Sequence, residues 1–490
     1  MPMSLLIWII WLAPLLALVA AIGSNNLRLA GGAACIGAII SCAMAAALVY
    51  QTHHMAAVTA IPHWVGINAF GSLVVFIETF GGLTAAIYSL GALRRHPGDD
   101  HTKRQFWIWF NLFLLALFAI PLLQEIALVW LALTLTTLFS VFLVSFDGDP
   151  AAFEAGWKYA LMTTLGAAIA VLGILMLYWA LAQTGSTDFS WAGLSAAAPR
   201  LSPAILNIAF LLILIGFGAK AALIPFHAWL PDAYSRAPFP ICAMLSILES
   251  AAIPYVLLQL AGVAGLTPHS TANNWLLLFG LVSAGGAALL IIQTHEYKRL
   301  FAYSTIENAG IILTAGAAAT LHARQAAIWQ IVAHGVTKPL IFYICGMVFL
   351  MTNQLRLTDI RGLLSRTRWG GSALMVAGLA IAGAPPFAIF LSELAVLKST
   401  IDSPRPWIGA LLALFMIISF CAITYHLFRM VLGDPTDGQL QSQPARPLPR
   451  FCTVAIIIAA IPVIVLGWWV PLPIIHGFHA ASQMLGGSIP

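Results

Sequence analysis

Apolar positions along this chain fall in long runs separated by short polar stretches. A run of about 18 apolar residues is long enough to cross a bilayer as a helix. Fourteen such runs stand out, at roughly 3–22, 29–49, 66–93, 106–123, 125–146, 157–182, 204–225, 238–263, 274–295, 299–320, 326–351, 370–397, 407–430 and 452–475. The pattern predicts an all-α integral membrane protein of about fourteen transmembrane helices. The first run has no basic segment before it and reads on into further spans, so it is expected to be a retained helix rather than a signal peptide. The longest connections, about 183–203 and 431–451, are Gly/Ser/Pro/Gln-rich linkers. No large soluble domain fits between the runs.

Composition agrees with this pattern and excludes the soluble classes. Hydrophobic residues make up 61% of the 490 positions and charged ones 8%, against about 25% charged in a typical soluble domain. The few basic residues are unevenly placed. Sixteen lie in loops after odd-numbered runs, among them Arg94, Arg95, Lys298 and Arg299, while only Arg200, Arg324 and Arg405 follow even-numbered ones. By the positive-inside rule the first set is cytoplasmic, which puts both termini on the outer side. The net charge of +5 therefore reports orientation, and no nucleic-acid partner is expected. Six cysteines lie in or beside the runs with no CxxC pair, which argues against disulfides, zinc, iron–sulfur or haem sites. No cofactor or metal is expected.

Charges within the apolar runs carry the candidate chemistry. An ionised side chain at the bilayer centre costs about 3 kcal/mol or more, so it faces a protein interior or a water-filled path. Glu78, Lys220, Glu249, Glu307, Lys338 and Glu393 are such residues, with His227 and His334 nearby. Two runs also contain helix breakers: Pro225 follows Lys220 in the seventh, and Pro385 and Pro386 precede Glu393 in the twelfth. A membrane helix tolerates such a break where neighbours or water satisfy the freed backbone. Five spans separate the breaks, so the two helices run in opposite senses, as in an inverted repeat. The expected division is 1–105 (helices 1–3), 106–263 (first repeat, helices 4–8), 264–430 (second repeat, helices 9–13) and 431–490 (linker and helix 14). Between the breaks, His334 and Lys338 are four residues apart and share a helix face, an arrangement suited to proton hopping.

The segments HAWLPDAYSRAP, HEYKRLFAYSTIENAGI, HGVTKPLIFYICG and AGAPPFAIFLSELAVL resemble the signature regions of the antiporter-like, proton-translocating subunits of respiratory complex I. FEAGWKYALMTTLGAAIAVLG, RLFAYSTIENAGI and APPFAIFLSE are most similar to the hydrogenase-4 component F type of group 4 membrane hydrogenases and formate hydrogenlyase. The likeness runs over nearly the whole chain, and no long lateral helix like that of the most distal complex I subunit is expected after the last span. The resemblance implies proton movement through half-channels joined by a central line of lysines, histidines and water. It implies partner membrane subunits, a peripheral redox module and a bacterial or archaeal inner membrane. On it, Lys220 matches the switch lysine, His334 and Lys338 the central relay and Glu393 the terminal group; together with His227 and Glu249 these are the expected proton relay.

Two positions depart from the family pattern. The glutamate expected on the fifth span, which would hold the switch lysine, is Thr134; a lysine common on the eighth span is replaced by Glu249. One expectation is a rewired pairing, with Glu249 or Glu78 as the counter-ion of Lys220. The alternatives are a scaffold subunit that has lost coupled pumping, or a subunit of a cation/proton antiporter or an inorganic-carbon uptake complex without a redox arm. On every reading the chain alone is not a catalyst.

Overall fold

A computed structural model describes residues 3–52, 57–434 and 448–485. Most of the 431–451 linker, with Arg446, lies outside the described residues. The chain opens with α1 (Met3–Gly23) and α2 (Leu27–Thr52), then a hairpin of β1 (Ala57–Ile61) and β2 (Val65–Asn68). Next come α3 (Ala69–Ala92), α4 (Asp100–Leu122), α5 (Ile126–Val144), α6 (Pro150–Ala182), a short α7 (Trp191–Ala197) and α8 (Pro203–Lys220). The middle of the chain holds α9 (Trp229–Arg236), α10 (Phe239–Ile247), a π turn (Leu248–Ala252) and α11 (Ile253–Ala264). Then follow α12 (Ala272–Ile292), α13 (Tyr297–Ala317), α14 (Leu321–Thr352), α15 (Leu363–Arg366), α16 (Arg368–Ile381) and α17 (Ala388–Ile401). The last described elements are α18 (Trp407–Leu432), α19 (Arg450–Trp468) and α20 (Leu472–Met484).

Among the described residues, twelve helical stretches are long and apolar enough to cross a membrane, with α10 to α11 counted as one. Two of the expected runs fall outside this set. Helix α13 spans 21 residues but carries Lys298, Arg299 and Glu307, and the run at 370–397 is split into α16 and α17, each of 14 residues.

Among the described residues the hairpin is the one sheet. Ala57 pairs with Asn68 and Val58 with Ile67, antiparallel. The run expected to begin a helix at 66 starts as strand because Asn68 is the N-cap: its side chain accepts the Gly71 N–H at 2.7 Å, and α3 begins after it. Gln124 ties the hairpin to the α4–α5 junction, its amide donating to the Gly66 carbonyl at 2.9 Å. At the other side of the bundle Asp99 caps α4, and the Thr102 hydrogen bond to its carboxylate holds that group below the usual carboxylate range.

The interior is organised around α10, α11 and α14. The α10–α11 stretch is buried throughout its most apolar window, whereas α18 and α19 expose most of theirs. Pro254, at the second position of α11, has no N–H to donate, and the π turn just before it absorbs the lost helix bond. That turn carries Glu249. Helices α6 and α8 cross at contact distance: a Cβ at Gly166 would lie 2.7 Å from the Gly216 carbonyl oxygen, so only glycine fits. Four residues beyond Gly216, this close approach sets Lys220 against α5 and α6.

Candidate functional site

The first break is built around the end of α8. Helix α8 stops at Lys220 rather than running to 225, and Ala222 turns the chain with φ +54°. Neighbours take up the freed backbone groups, as a break at membrane depth requires. The Trp229 indole N–H of α9 donates to the Ala219 carbonyl at 2.9 Å, and the Ile224 N–H donates to Ser283 Oγ of α12 at 3.0 Å.

The buried Lys220 ammonium hydrogen-bonds Thr137 Oγ1 on α5 and stands 6.0 Å from the centre of the Tyr159 ring on α6. Tyr159 in turn shares a 2.8 Å hydrogen bond with Ser140, whose hydroxyl also meets the Thr136 carbonyl at 2.6 Å. A serine hydroxyl has one proton. With that proton directed at the carbonyl, Tyr159 is the donor to Ser140. Thr134 is not the partner: its hydroxyl bonds back to the Trp130 carbonyl at 2.8 Å. Thr134, Thr137, Thr163, Thr164 and Lys220 line a cavity of about 10 Å³, room for the centre of about one water molecule.

Neither expected counter-ion makes a direct ion pair with Lys220. Among the described residues no ion pair within 4.0 Å involves Lys220. The π turn aims Glu249 at α9 instead, where its carboxylate accepts the Tyr234 hydroxyl at 2.5 Å; its other oxygen has no protein partner. Glu249 remains within electrostatic reach of both Lys220 and Lys338. Glu78 is fully buried with neither carboxylate oxygen hydrogen-bonded, and the ionisable group that feels its charge is Tyr255 of α11. Helix α3 packs on α10, with Gly81 against Ile247, and the carboxylate that Lys220 feels is Glu249.

The central groups sit on α14 as the spacing predicts, both fully buried, but they bond outward in different directions. His334 Nδ1 is 2.8 Å from Ser250 Oγ in the π turn, and Ser250 lies 2.6 Å from the Ser246 carbonyl. The serine proton belongs to that carbonyl, so the His334 Nδ1–H donates to Ser250 and Nε2 is left as an unpartnered base. Lys338 donates to the Phe301 carbonyl at 2.5 Å and to Ser304 Oγ at 2.6 Å, both on α13. Further along α13, the buried Glu307 interacts electrostatically with Lys338 and with Glu393.

The second break lies between α16 and α17. Gly383 has φ +81°, and a Cβ there would lie 3.1 Å from Glu393 Cδ, so glycine serves both the backbone and the carboxylate packed on it. Pro385 and Pro386 are exposed at this turn, as is Pro225 at the first. The structure thus strings Lys220, Glu249, Lys338, Glu307 and Glu393 through one interior. His227 stands apart, half-buried in the turn after Pro225 with its ring 6.5 Å from that of Tyr303.

Sequence reasoning missed the hydroxyls that link the ionisable groups: Thr137, Tyr159, Tyr234, Ser250 and Ser304. Their signal was polar residues inside apolar runs, which a search for charge passes over. It also read Lys298 only as an orientation charge. Lys298 is buried and donates to the Ser235 and Ala237 carbonyls at 3.2 and 2.6 Å, fastening the end of α9 to α13. Beside it, Asp232 bridges Lys158 of α6 and Arg299 of α13 at 3.4 and 2.6 Å. Lys298→Met should therefore destabilise the fold by about 2 kcal/mol, the worth of charged hydrogen bonds. A thermal midpoint unchanged from wild type would show that the clamp carries no stability.

A multi-pass helical bundle with broken helices and a buried line of lysines and carboxylates defines an ion-translocating membrane protein. The family described as NADH:quinone oxidoreductase/Mrp antiporter, TM, matches residues 123–421. The hydrogenase-4 component F homolog of Methylacidiphilum infernorum (isolate V4) is 30% identical over 429 residues, covering 86% of this chain and 88% of that protein. A chain of the Mrp complex from Dietzia sp. DQ12-45-1b superimposes with a TM-score of 0.86 at 17% identity, covering 99% of this chain and 97% of that one. A chain of respiratory complex I from Thermus thermophilus with bound NADH gives 0.79 at 19% identity, covering 97% and 99%. At such identities these two likenesses speak for the fold alone. The chain belongs to the family of antiporter-like, proton-translocating membrane subunits of complex I and group 4 hydrogenase type.

Proposed function

We propose that this chain carries protons along Lys220, Glu249, Lys338, Glu307 and Glu393, with His334 as a side base and Thr137, Tyr159, Tyr234, Ser250 and Ser304 as linking hydroxyls. One observation carries the reading: four buried ionisable groups and the half-buried Glu393, from five helical elements, converge on one interior, and hydroxyl or carbonyl groups hydrogen-bond both lysines where no ion pair holds them. Held this way, each ammonium gives up a proton without first breaking a salt bridge. Lys220 is the loading group and Glu393 the terminal one, each beside a break with a left-handed residue at its turn. That likeness between the breaks supports inverted repeats at 106–263 and 264–430, set between 1–105 and 431–490.

The chain works as one membrane subunit of a larger assembly with a peripheral redox module, in a bacterial or archaeal inner membrane. Both termini lie outside, by the basic-loop bias. Co-purification in mild detergent tests the assembly: redox subunits are expected, and a complex without any would favour the cation antiporter or carbon-uptake reading. For orientation, Pro97→Cys in a background without the exposed Cys421 should react with an impermeant thiol reagent only from the cytoplasmic side. Reaction from outside would invert the topology.

One observation favours a second reading, that of a scaffold without coupled flux. Thr134 is neutral, and Lys220 has no carboxylate within ion-pair distance. The two readings diverge on the Lys220 substitutions discussed below.

A further inference from the structure

A further cavity opens beyond the Glu393 end of the relay. It is a cleft of about 920 Å³ between the start of α14, the end of α17 and α20. Trp468 and Trp469, 75% and 63% exposed at the end of α19, flank the cleft-lining Val470. Exposed tryptophans at a span end mark the headgroup level of a bilayer. The cleft wall is apolar, with the Trp329 and Phe478 rings stacked at 6.3 Å. The rim carries Lys398, in the last turn of α17, and Asp402, the residue that caps that helix, one turn apart. Among the described residues neither makes an ion pair, with the other or with any third group. Beside them Gln325 and His479 are joined at 2.8 Å, a polar pair on the same rim.

We propose that this cleft binds the headgroup of an outer-leaflet aminophospholipid, its phosphate at Lys398, its primary ammonium at Asp402 and its chains along Trp329 and Phe478. Charge complementarity selects this occupant. An anionic headgroup satisfies Lys398 but meets repulsion from Asp402. A zwitterion whose two charges are joined by a two-carbon linker places one on each residue across a helical turn, about 5–6 Å between neighbouring positions. A primary ammonium also donates hydrogen bonds to the carboxylate, which a quaternary one cannot. A volume of this size suits a headgroup with the first part of its chains.

Native mass spectrometry of the complex purified in mild detergent, offered equal amounts of phosphatidylethanolamine, phosphatidylcholine and phosphatidylglycerol, tests it. Phosphatidylethanolamine should be retained at least threefold over the others. Asp402→Asn should erase that preference, and Lys398→Gln should lower retention of all three, with the complex intact in both variants. Equal retention of phosphatidylglycerol by the wild type would reduce the site to simple attraction and overturn the proposal. A preference that survives Asp402→Asn would also overturn it. So would a cleft that excludes all three lipids because a neighbouring subunit fills it.

Discussion

Lys220→Ala is expected to lower proton flux per turnover of the reconstituted complex by about 100-fold, the low end of what a positioned proton-transfer group contributes. Assembly should survive, because removing a charge from membrane depth relieves a burial cost. The loss follows from position. Lys220 is the buried cation at the first break, and its ammonium bonds a threonine hydroxyl that holds it without competing as a base. Lys220→Arg separates the two readings of the site. Arginine keeps the positive charge but does not release a proton in proteins. If Lys220 acts by giving up protons, the arginine variant is as defective as alanine. If the residue only holds α8 against α5, the arginine variant keeps wild-type flux, and so the scaffold reading prevails.

Glu249→Gln is expected to reduce flux about as strongly, and the Lys220→Ala/Glu249→Gln pair to be little worse than either change alone. Groups acting in series on one path are non-additive in this way. The physical basis is that Glu249 is the carboxylate felt by both Lys220 and Lys338, so it bridges the loading site and the centre. Tyr234 is the gate on that bridge. Its hydroxyl holds Glu249 at 2.5 Å, and Tyr234→Phe should remove the hydrogen bond while leaving the carboxylate in place. A loss of about tenfold, or 1.4 kcal/mol on the barrier, is expected from a hydrogen bond to a charged group. Flux measured across proteoliposomes decides the case. A double variant whose defect equals the product of the single ones would place Lys220 and Glu249 on separate paths.

Sequence alone determined those features that depend on the local solvent. A bilayer demands long apolar runs and penalises every charge within them, so the bundle, the buried groups Lys220, Glu249, His334 and Lys338 and the half-buried Glu393 were legible residue by residue. The breaks were legible for a similar local reason, since a proline has no N–H wherever it stands. Tertiary structure alone decided the partners. The resemblance pointed to Thr134 as the position facing the lysine, yet Lys220 bonds Thr137, because the glycine crossing of α6 and α8 sets the height of the lysine against α5. Glu249 turned to Tyr234 rather than Lys220, because a π turn rotates that part of the helix. Glu78 looked like a counter-ion in a list of charges, but the packing of α3 on α10 carried it toward Tyr255. Which side chains meet depends on helix rotation, height and crossing, quantities set by contacts between residues far apart in the chain. Membrane depth is written into a run of twenty residues; a hydrogen bond between α5 and α8 is not.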